Sequence, residues 1–168
     1  MRRIYLWILL AIVFIGAGAY FWATQTESKI YKDPKYGFEV SVPSGFSDAG
    51  TNDGIYAYNK YFKKGDVQLY IVISKNETKI NNQEALKEVK AVATAIKNSK
   101  TVTVDDLSAT EQFEDYSKVT NGDPGCQLAA YFSQGGVSHQ IMYFSSNCNE
   151  ITDGQAEYDA VLASYHQL

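Results

Sequence analysis

Hydrophobic and polar positions divide the chain into an apolar N-terminal run and a longer part made of short apolar segments between turns. Twenty residues from Ile4 to Ala23 carry no charge, and Arg2 and Arg3 come directly before them. A helix of that length spans about 30 Å, the thickness of the hydrocarbon core of a bilayer. Residues 4–23 therefore predict one N-terminal transmembrane helix.

The basic residues around this run predict its orientation. Arg2 and Arg3 precede it, and the next basic residue along the chain is Lys29. Because cytoplasmic flanks are enriched in Lys and Arg, the N-terminus is expected in the cytoplasm. We expect residues 1–25 to form a membrane anchor and residues 26–168 to form one extracytoplasmic domain, periplasmic or extracellular.

A signal peptide is the alternative interpretation of the same run. Ala17-Gly18-Ala19 resembles a cleavage site, and cleavage after Ala19 would secrete the domain. The apolar run continues through Tyr20-Phe21-Trp22, as it would in an uncleaved anchor. This continuation favours retention in the membrane.

After the anchor, segments rich in β-branched and aromatic residues alternate with turn residues, a pattern typical of strands. Ile55–Phe62 and Val67–Ser74 flank Lys63-Lys64-Gly65-Asp66 and predict a hairpin. A loop is expected over Ser47–Gly54. Shorter strands are predicted at Ile30-Tyr31, Phe38–Val42, Val102–Leu107 and Glu111–Val119.

A second hairpin is predicted around Gly135-Gly136, which separates Gln127–Ser133 from Ser138–Ser145. Pairing about the two glycines places Leu128 opposite Tyr143. In these segments the side chains that point to either face of the sheet are apolar, which is typical of strands covered on both faces. The hairpin is therefore expected at the centre of a sheet.

Two helices are predicted from apolar residues at helical spacing. The first begins after a cap at Asn81 and carries the apolar stripe Leu86, Val89, Ala93 and Ile96. The second begins at Asp153 or Gly154 and carries Tyr158, Val161, Leu162 and Tyr165. This order of elements predicts an α+β fold, an antiparallel sheet with helices packed on its faces.

Cysteine and charge content narrow the possible functions. Cys126 and Cys148 are the two cysteines, and in an oxidising compartment an even pair predicts a disulfide. Free thiols or a metal site are alternatives, although the metal site would have only His139 and His166 as further nitrogen ligands. Nineteen acidic residues stand against thirteen lysines beyond the anchor, so no nucleic-acid partner is expected.

Few residues suggest a site. Tyrosines and a lysine of the first hairpin are a candidate surface for a protein partner, because exposed side chains of these types favour binding of other proteins. They are Tyr56, Tyr58, Lys60 and Tyr61. The carboxylates of Asp105-Asp106, Glu111 and Glu114-Asp115 are interpreted as a solvated acidic face, with Ca²⁺ binding as the alternative. No catalytic residue, metal site or cofactor is assigned.

Two motifs resemble those of PsbP-like (Mog1/PsbP-fold) domains. The first motif is similar to the opening of that family and consists of Tyr31, Asp33, Tyr36-Gly37-Phe38 and Val42-Pro43-Ser44-Gly45-Phe46. Phe46 stands where a Trp is usual. Tyr158–Tyr165 resembles its closing helix. The resemblance implies an α/β/α sandwich and, in general, a non-enzymatic role, and it carries over no binding residue.

The expected function is therefore a binding or assembly module without catalytic activity, which holds a protein partner near the membrane. An envelope hydrolase is an alternative, and it would need His139 or His166 in a cleft with carboxylates distant in sequence. Binding of a small ligand or metal at the acidic face is a further alternative.

Overall fold

The computed structural model describes residues 28–54, 57–74, 93–118 and 123–168, and these form ten strands and two helices. The strands are β1 (Lys29–Asp33), β2 (Phe38–Val42), β3 (Ser47–Asp53), β4 (Ala57–Lys64), β5 (Val67–Ser74), β6 (Ala95–Val104), β7 (Leu107–Asp115), β8 (Cys126–Gln134), β9 (Val137–Ser145) and β10 (His166–Gln167). The helices are α1 (Cys148–Asp153) and α2 (Gln155–Ser164).

The strands form two antiparallel sheets. Seven strands are ordered β3-β4-β5-β9-β8-β7-β6, and three are ordered β1-β2-β10. The small sheet and both helices lie on one face of the large sheet, where Phe38 of β2 stacks on Tyr165 at the end of α2 with ring centroids 5.7 Å apart. The hydroxyl of Tyr158 in α2 donates to the carbonyl of Ile141 in β9 at 2.8 Å. The main core lies between these layers.

Both predicted hairpins are confirmed in the residues described. β4 and β5 turn at Gly65-Asp66, and β8 and β9 turn at Gly135-Gly136. The predicted register is also confirmed, with Leu128 opposite Tyr143. On the face away from the helices, Ala129 and Tyr131 of β8 are as buried as their neighbours, so β8 is covered on both faces as expected.

Three sequence-based boundaries are wrong. Ser47–Asp53 is not a loop but the edge strand β3, because backbone pairing with β4 forms a strand even though Ala49 is its one apolar side chain. Asp105 and Asp106 are not in a strand, since both have positive φ and form the turn between β6 and β7. Ile96 does not end a helix; it lies in β6 and pairs with β7. Ala93 is not helical either, and the part of that predicted helix before it, with Leu86 and Val89, lies outside the described residues.

The α+β class is confirmed, but the arrangement of helices differs from the expectation. α1 and α2 are short and both lie on the same face of the large sheet, and among the residues described no helix lies on the other. The described part is therefore dominated by its sheets rather than sandwiched between helices.

A disulfide joins the start of α1 to the start of β8, confirming the predicted pair Cys126 and Cys148. The side chain of Asn147 caps α1 by accepting a hydrogen bond from the backbone N–H of Asn149 at 3.1 Å. Because α1 has only six residues, it is too short to be stable without such tertiary contacts. The disulfide thus fixes its position on the sheet.

The predicted membrane helix lies outside the residues described. Across residues 28–168, the described segments contain no helix long and apolar enough to cross a bilayer. Anchoring through residues 4–23 stays a prediction.

Replacing both cysteines in the double variant Cys126→Ser/Cys148→Ser should lower the free energy of unfolding by about 3 kcal/mol, because the bond closes a loop between residues 22 apart. Urea unfolding of the full-length protein in detergent measures this. A thiol count on the unfolded, unreduced wild-type protein is the control, and two reactive thiols there would contradict the disulfide.

Candidate binding cleft

The register of the large sheet aligns one row of inward-facing residues across six strands. From β4 to β6 this row consists of Lys60, Ile71, Ile141, Ala130, Glu111 and Lys100. Glu111 alternates in phase with Ala109 and Phe113 of β7, so it lies on the face that the helices cover. Its cross-strand neighbour on β6 is Lys100.

A cavity of about 320 Å³ opens where this row meets the helices. It is lined by Asn98 and Lys100 of β6, Glu111 and Phe113 of β7, Leu128 of β8, Ile151 and Thr152 of α1, and Gln155 of α2. Apolar side chains thus form part of its wall and polar side chains the rest, which is typical of ligand-binding clefts. We call it the α1 cleft.

Glu111 is the buried charged group of the α1 cleft, with only 3% of its surface exposed. Its Oε1 accepts from Lys100 Nζ at 3.0 Å and from Gln155 Nε2 at 3.1 Å. Its Oε2 is buried and accepts no hydrogen bond from any residue that the structure describes. A buried oxygen without a donor costs about 1–3 kcal/mol, so folding alone gives no reason for this arrangement.

A register shift in one wall of the α1 cleft and a disulfide at the other fix the positions of these walls. On one side β6 shifts register between Lys97 and Lys100, and Asn98 there has a positive φ of 52°. On the other side the disulfide fixes α1, which supplies Ile151 and Thr152. Such bulges are common where a strand borders a functional site.

The rim of the α1 cleft carries one further acidic side chain. Gln155 Nε2 also donates to Asp159 Oδ1 at 2.8 Å. The hydrogen bond to Glu111 raises the pKa of Lys100, and the charges of Glu111 and Asp159 act in the same direction. Among the described residues, Lys100 and Asp159 are both exposed to water, so the carboxylate of buried Glu111 is the least screened charge at the cleft.

Glu114 of β7 is equally buried but fully satisfied. Gln112 Nε2 and Tyr131 Oη donate to its Oε1 at 2.8 and 2.6 Å. Tyr116 Oη and Gln127 Nε2 donate to its Oε2 at 2.5 and 2.6 Å. Four neutral donors compensate this carboxylate on the face away from the helices, whereas one oxygen of Glu111 receives no donor from the residues described.

A second cavity, of about 580 Å³, borders the β4–β5 turn and the other side of α1. Two of the acidic side chains that line it, Glu157 and Glu150, are hydrogen-bonded. Glu157 accepts from Tyr143 Oη at 2.5 Å and from Lys64 Nζ at 2.8 Å. Ser145 Oγ donates to Glu150 at 2.7 Å. Within the described ranges, no three His, Cys, Asp or Glu side chains are grouped to hold a metal ion.

The residues predicted as a partner surface do not form one exposed patch. Tyr58 and Lys60 are only 2% and 4% exposed, because they face the small sheet. Tyr61 points to the opposite face, where its ring lies against Gly50 of β3. Tyr56 lies outside the described residues.

Tyr58 and Lys60 instead join the two sheets. Lys60 Nζ binds both oxygens of Asp48 at 2.6 and 2.7 Å and lies 4.8 Å from the ring centroid of Tyr31. Tyr58 Oη donates to Asp33. Burial opposes ionisation of Asp33, but hydrogen bonds from Tyr58 and from its neighbours outweigh it and lower its pKa. Both residues therefore have structural roles.

The two histidines lie apart from both cavities described here. His139 is buried against Phe132, with ring centroids 5.2 Å apart, and its Nδ1 is 3.0 Å from Tyr165 Oη. His166 is exposed, and its Nδ1 lies 3.0 Å from Asp105 Oδ1. Asp105 also accepts from the backbone N–H of Gln167 at 2.9 Å, and this bond, with that from His166, lowers its pKa.

The structure separates the carboxylates that the sequence groups together. Asp105 and Asp106 lie in a turn, Glu111 in the α1 cleft and Glu114 on the opposite face of the sheet. The sequence missed the cleft partners Lys100 and Gln155. The sequence did contain a sign of the role of Glu111, because it is a charged residue at a position of β7 whose alternate neighbours are apolar.

No family model and no curated protein sequence matches the chain. Among solved structures, it is similar to the solution structure of cyanobacterial PsbP (CyanoP) from Synechocystis sp. PCC 6803, with a TM-score of 0.55 and 16% sequence identity. The match covers 83% of this chain and 92% of the cyanobacterial one. The chain has a PsbP-like fold. At this identity the likeness shows the fold alone.

Glu111→Met should leave the free energy of unfolding unchanged or raise it by about 1 kcal/mol, because it removes a buried oxygen that receives no donor from the described residues. Glu114→Met is the matched control and should lower it by about 3 kcal/mol or more, since four donors lose their acceptor. Urea unfolding measures both. An equal loss in the two variants would show that Glu111 is a structural residue.

The stability of the protein should fall by about 3 kcal/mol between pH 6.5 and pH 4 because of His139. Burial lowers the pKa of His139 to about 4, so between these values the unfolded chain binds a proton that the folded protein does not. Urea unfolding across this range measures the slope. His139→Phe should flatten it and the exposed control His166→Asn should not; an unchanged slope in His139→Phe would refute the assignment.

Proposed function

We propose that the chain is a binding module without catalytic activity, held at the extracytoplasmic face of a membrane by residues 4–23, and that a partner protein occupies the α1 cleft. The observation that carries the binding role is Glu111 Oε2, a buried acceptor beside a cavity that receives no donor from the described residues. A partner group that donates to this carboxylate once Oε2 turns toward the cavity removes the cost of leaving it unsatisfied.

Two features support an extracytoplasmic position near a membrane. The disulfide between Cys126 and Cys148 is of the kind that persists in oxidising compartments. Only residues 24–28 separate the predicted anchor from β1, which begins at Lys29. Fully extended, such a linker spans about 20 Å, so the domain would stay close to the bilayer surface.

The placement of the histidines supports a role other than catalysis. His139 is packed between the rings of Phe132 and Tyr165, and burial lowers its pKa to about 4, below the range useful for acid–base work near neutral pH. His166 pairs with Asp105 at the surface, away from the α1 cleft. The alternative function, an envelope hydrolase, would have to use this exposed pair for catalysis.

A small molecule is the second candidate occupant of the α1 cleft. The cavity volume of about 320 Å³ lies at the lower end of the range for small-ligand sites. The same volume also accommodates one or two side chains of a partner protein. The membrane-proximal position favours the protein, because the anchor would hold the domain against other membrane components.

A photoreactive side chain placed at the exposed rim residue Thr152 should crosslink the full-length protein to a partner in its native membrane. The same side chain at Lys32 of β1, also exposed and remote from the cleft, is the matched control and should give no adduct. Mass spectrometry of the crosslinked band identifies the partner. After alkaline extraction the protein should stay in the membrane pellet.

Two results would contradict the proposal separately. A soluble, shortened protein beginning after Ala19 would remove the anchor but not the binding role. Equal adducts at Thr152 and Lys32, or none at either, would remove the α1 cleft as the contact with a partner protein.

A further inference from the structure

We infer that the α1 cleft binds a primary ammonium group carried on an aliphatic stem, as at the end of a lysine side chain. This inference rests on the proposed function and names the chemistry that the cleft would recognise. It follows from the charge balance at Glu111, from the apolar wall beside it and from the volume of the cavity.

The charge balance favours a cation over an anion. Lys100 and Gln155 both bind Oε1 of Glu111, which leaves Oε2 without a donor from the described residues. Lys100 is half exposed, so water screens much of its charge. Asp159 adds a second carboxylate at the rim through its contact with Gln155, and because it is exposed its charge is screened as well. The charge of buried Glu111 is the one that water screens least, so it attracts an incoming ammonium, which supplies the missing donor once the carboxylate turns Oε2 toward it.

The rest of the wall suits an organic cation rather than a metal ion. Phe113, Leu128 and Ile151 line the cleft with apolar surface, against which methylene groups can pack. A metal ion would need several oxygen or nitrogen ligands, and no three such acidic, His or Cys side chains are grouped in the part of the chain that the structure describes. Of the described residues that line this cavity, Glu111 is the one buried carboxylate.

The volume of the cleft sets the size of the stem. About 320 Å³ corresponds to roughly ten water molecules at about 30 Å³ each. This accommodates a four- or five-carbon chain with its ammonium group and part of the backbone that bears it. The polar side chains of Asn98 and Thr152 lie at the exposed end, where such a backbone would leave the cleft.

Lysine side chains and free diamines share this chemistry, and a titration of the full-length protein in lipid nanodiscs separates them. The probes are Nα-acetyl-lysine methylamide, its uncharged counterpart Nα-acetyl-norleucine methylamide, and 1,5-diaminopentane. For ligands of this size a Kd of about 1 mM is expected, which saturation-transfer NMR detects. The lysine probe should bind at least tenfold more tightly than the norleucine probe.

Variants assign the binding to the α1 cleft. Glu111→Gln should weaken the lysine probe at least tenfold, because it removes the negative charge and keeps the shape of the side chain. Thr152→Phe changes an exposed rim residue, so it should fold normally and also block the probe. Glu150→Gln, in the second cavity, is the control and should bind as the wild type does.

Equal affinity for the lysine and norleucine probes, or unchanged binding in Glu111→Gln and Thr152→Phe, would overturn the inference. Binding of the diamine without the lysine probe supports the ammonium site but assigns it to a free amine. Adducts at Thr152 in the membrane together with no ammonium binding would leave the proposed function standing and refute this chemistry. Ammonium binding without adducts at Thr152 would leave this chemistry standing and refute a partner protein as the occupant of the α1 cleft.

Discussion

The register of β7 between β6 and β8 is the constraint on which the rest of the α1 cleft depends. Side chains alternate along a strand, so Glu111 and Glu114, three positions apart, must face opposite sides of the sheet. One register places Glu114 among four neutral donors and Glu111 beside Lys100 under the helices. A slip of one residue would exchange their faces, and neither carboxylate would find these partners.

The second constraint acts on the opposite wall. α1 is a single short helix between β9 and α2, and the disulfide ties its first residue to the first residue of β8. The polar cap at Asn147 and the buried side chain of Ile151 set its rotation on the sheet. Hence the geometry of the cleft depends on a covalent bond that forms in an oxidising compartment, which couples the proposed site to the predicted location of the domain.

The fold could be predicted from the sequence where strong local signals agree with tertiary pairing. Gly135-Gly136 fixes one hairpin and its register, and the apolar spacing of Tyr158, Val161 and Leu162 fixes α2. Strand β3 was not predicted because its sequence lacks apolar alternation; backbone pairing with β4 and polar contacts such as that of Lys60 with Asp48 form it instead. The site could not be predicted for a different reason. Alternation along the strands shows that Tyr58, Lys60 and Glu111 lie on the same face as apolar residues. It does not show that the small sheet covers Tyr58 and Lys60, or that a cleft borders Glu111.

Glu111 and Lys60 occupy the same row of the sheet and show what separates a structural charge from a binding one. Lys60 is buried, yet Asp48 and the ring of Tyr31 satisfy its ammonium, so it contributes to the contact between the sheets. Glu111 is equally buried and keeps one oxygen without a donor from the described residues, next to a cavity. An apolar side chain in phase with Ala109 and Phe113 would avoid that cost, so stability does not account for the carboxylate. For a binding residue, stability and affinity respond to the same substitution with opposite signs, whereas for a structural residue both are lost together.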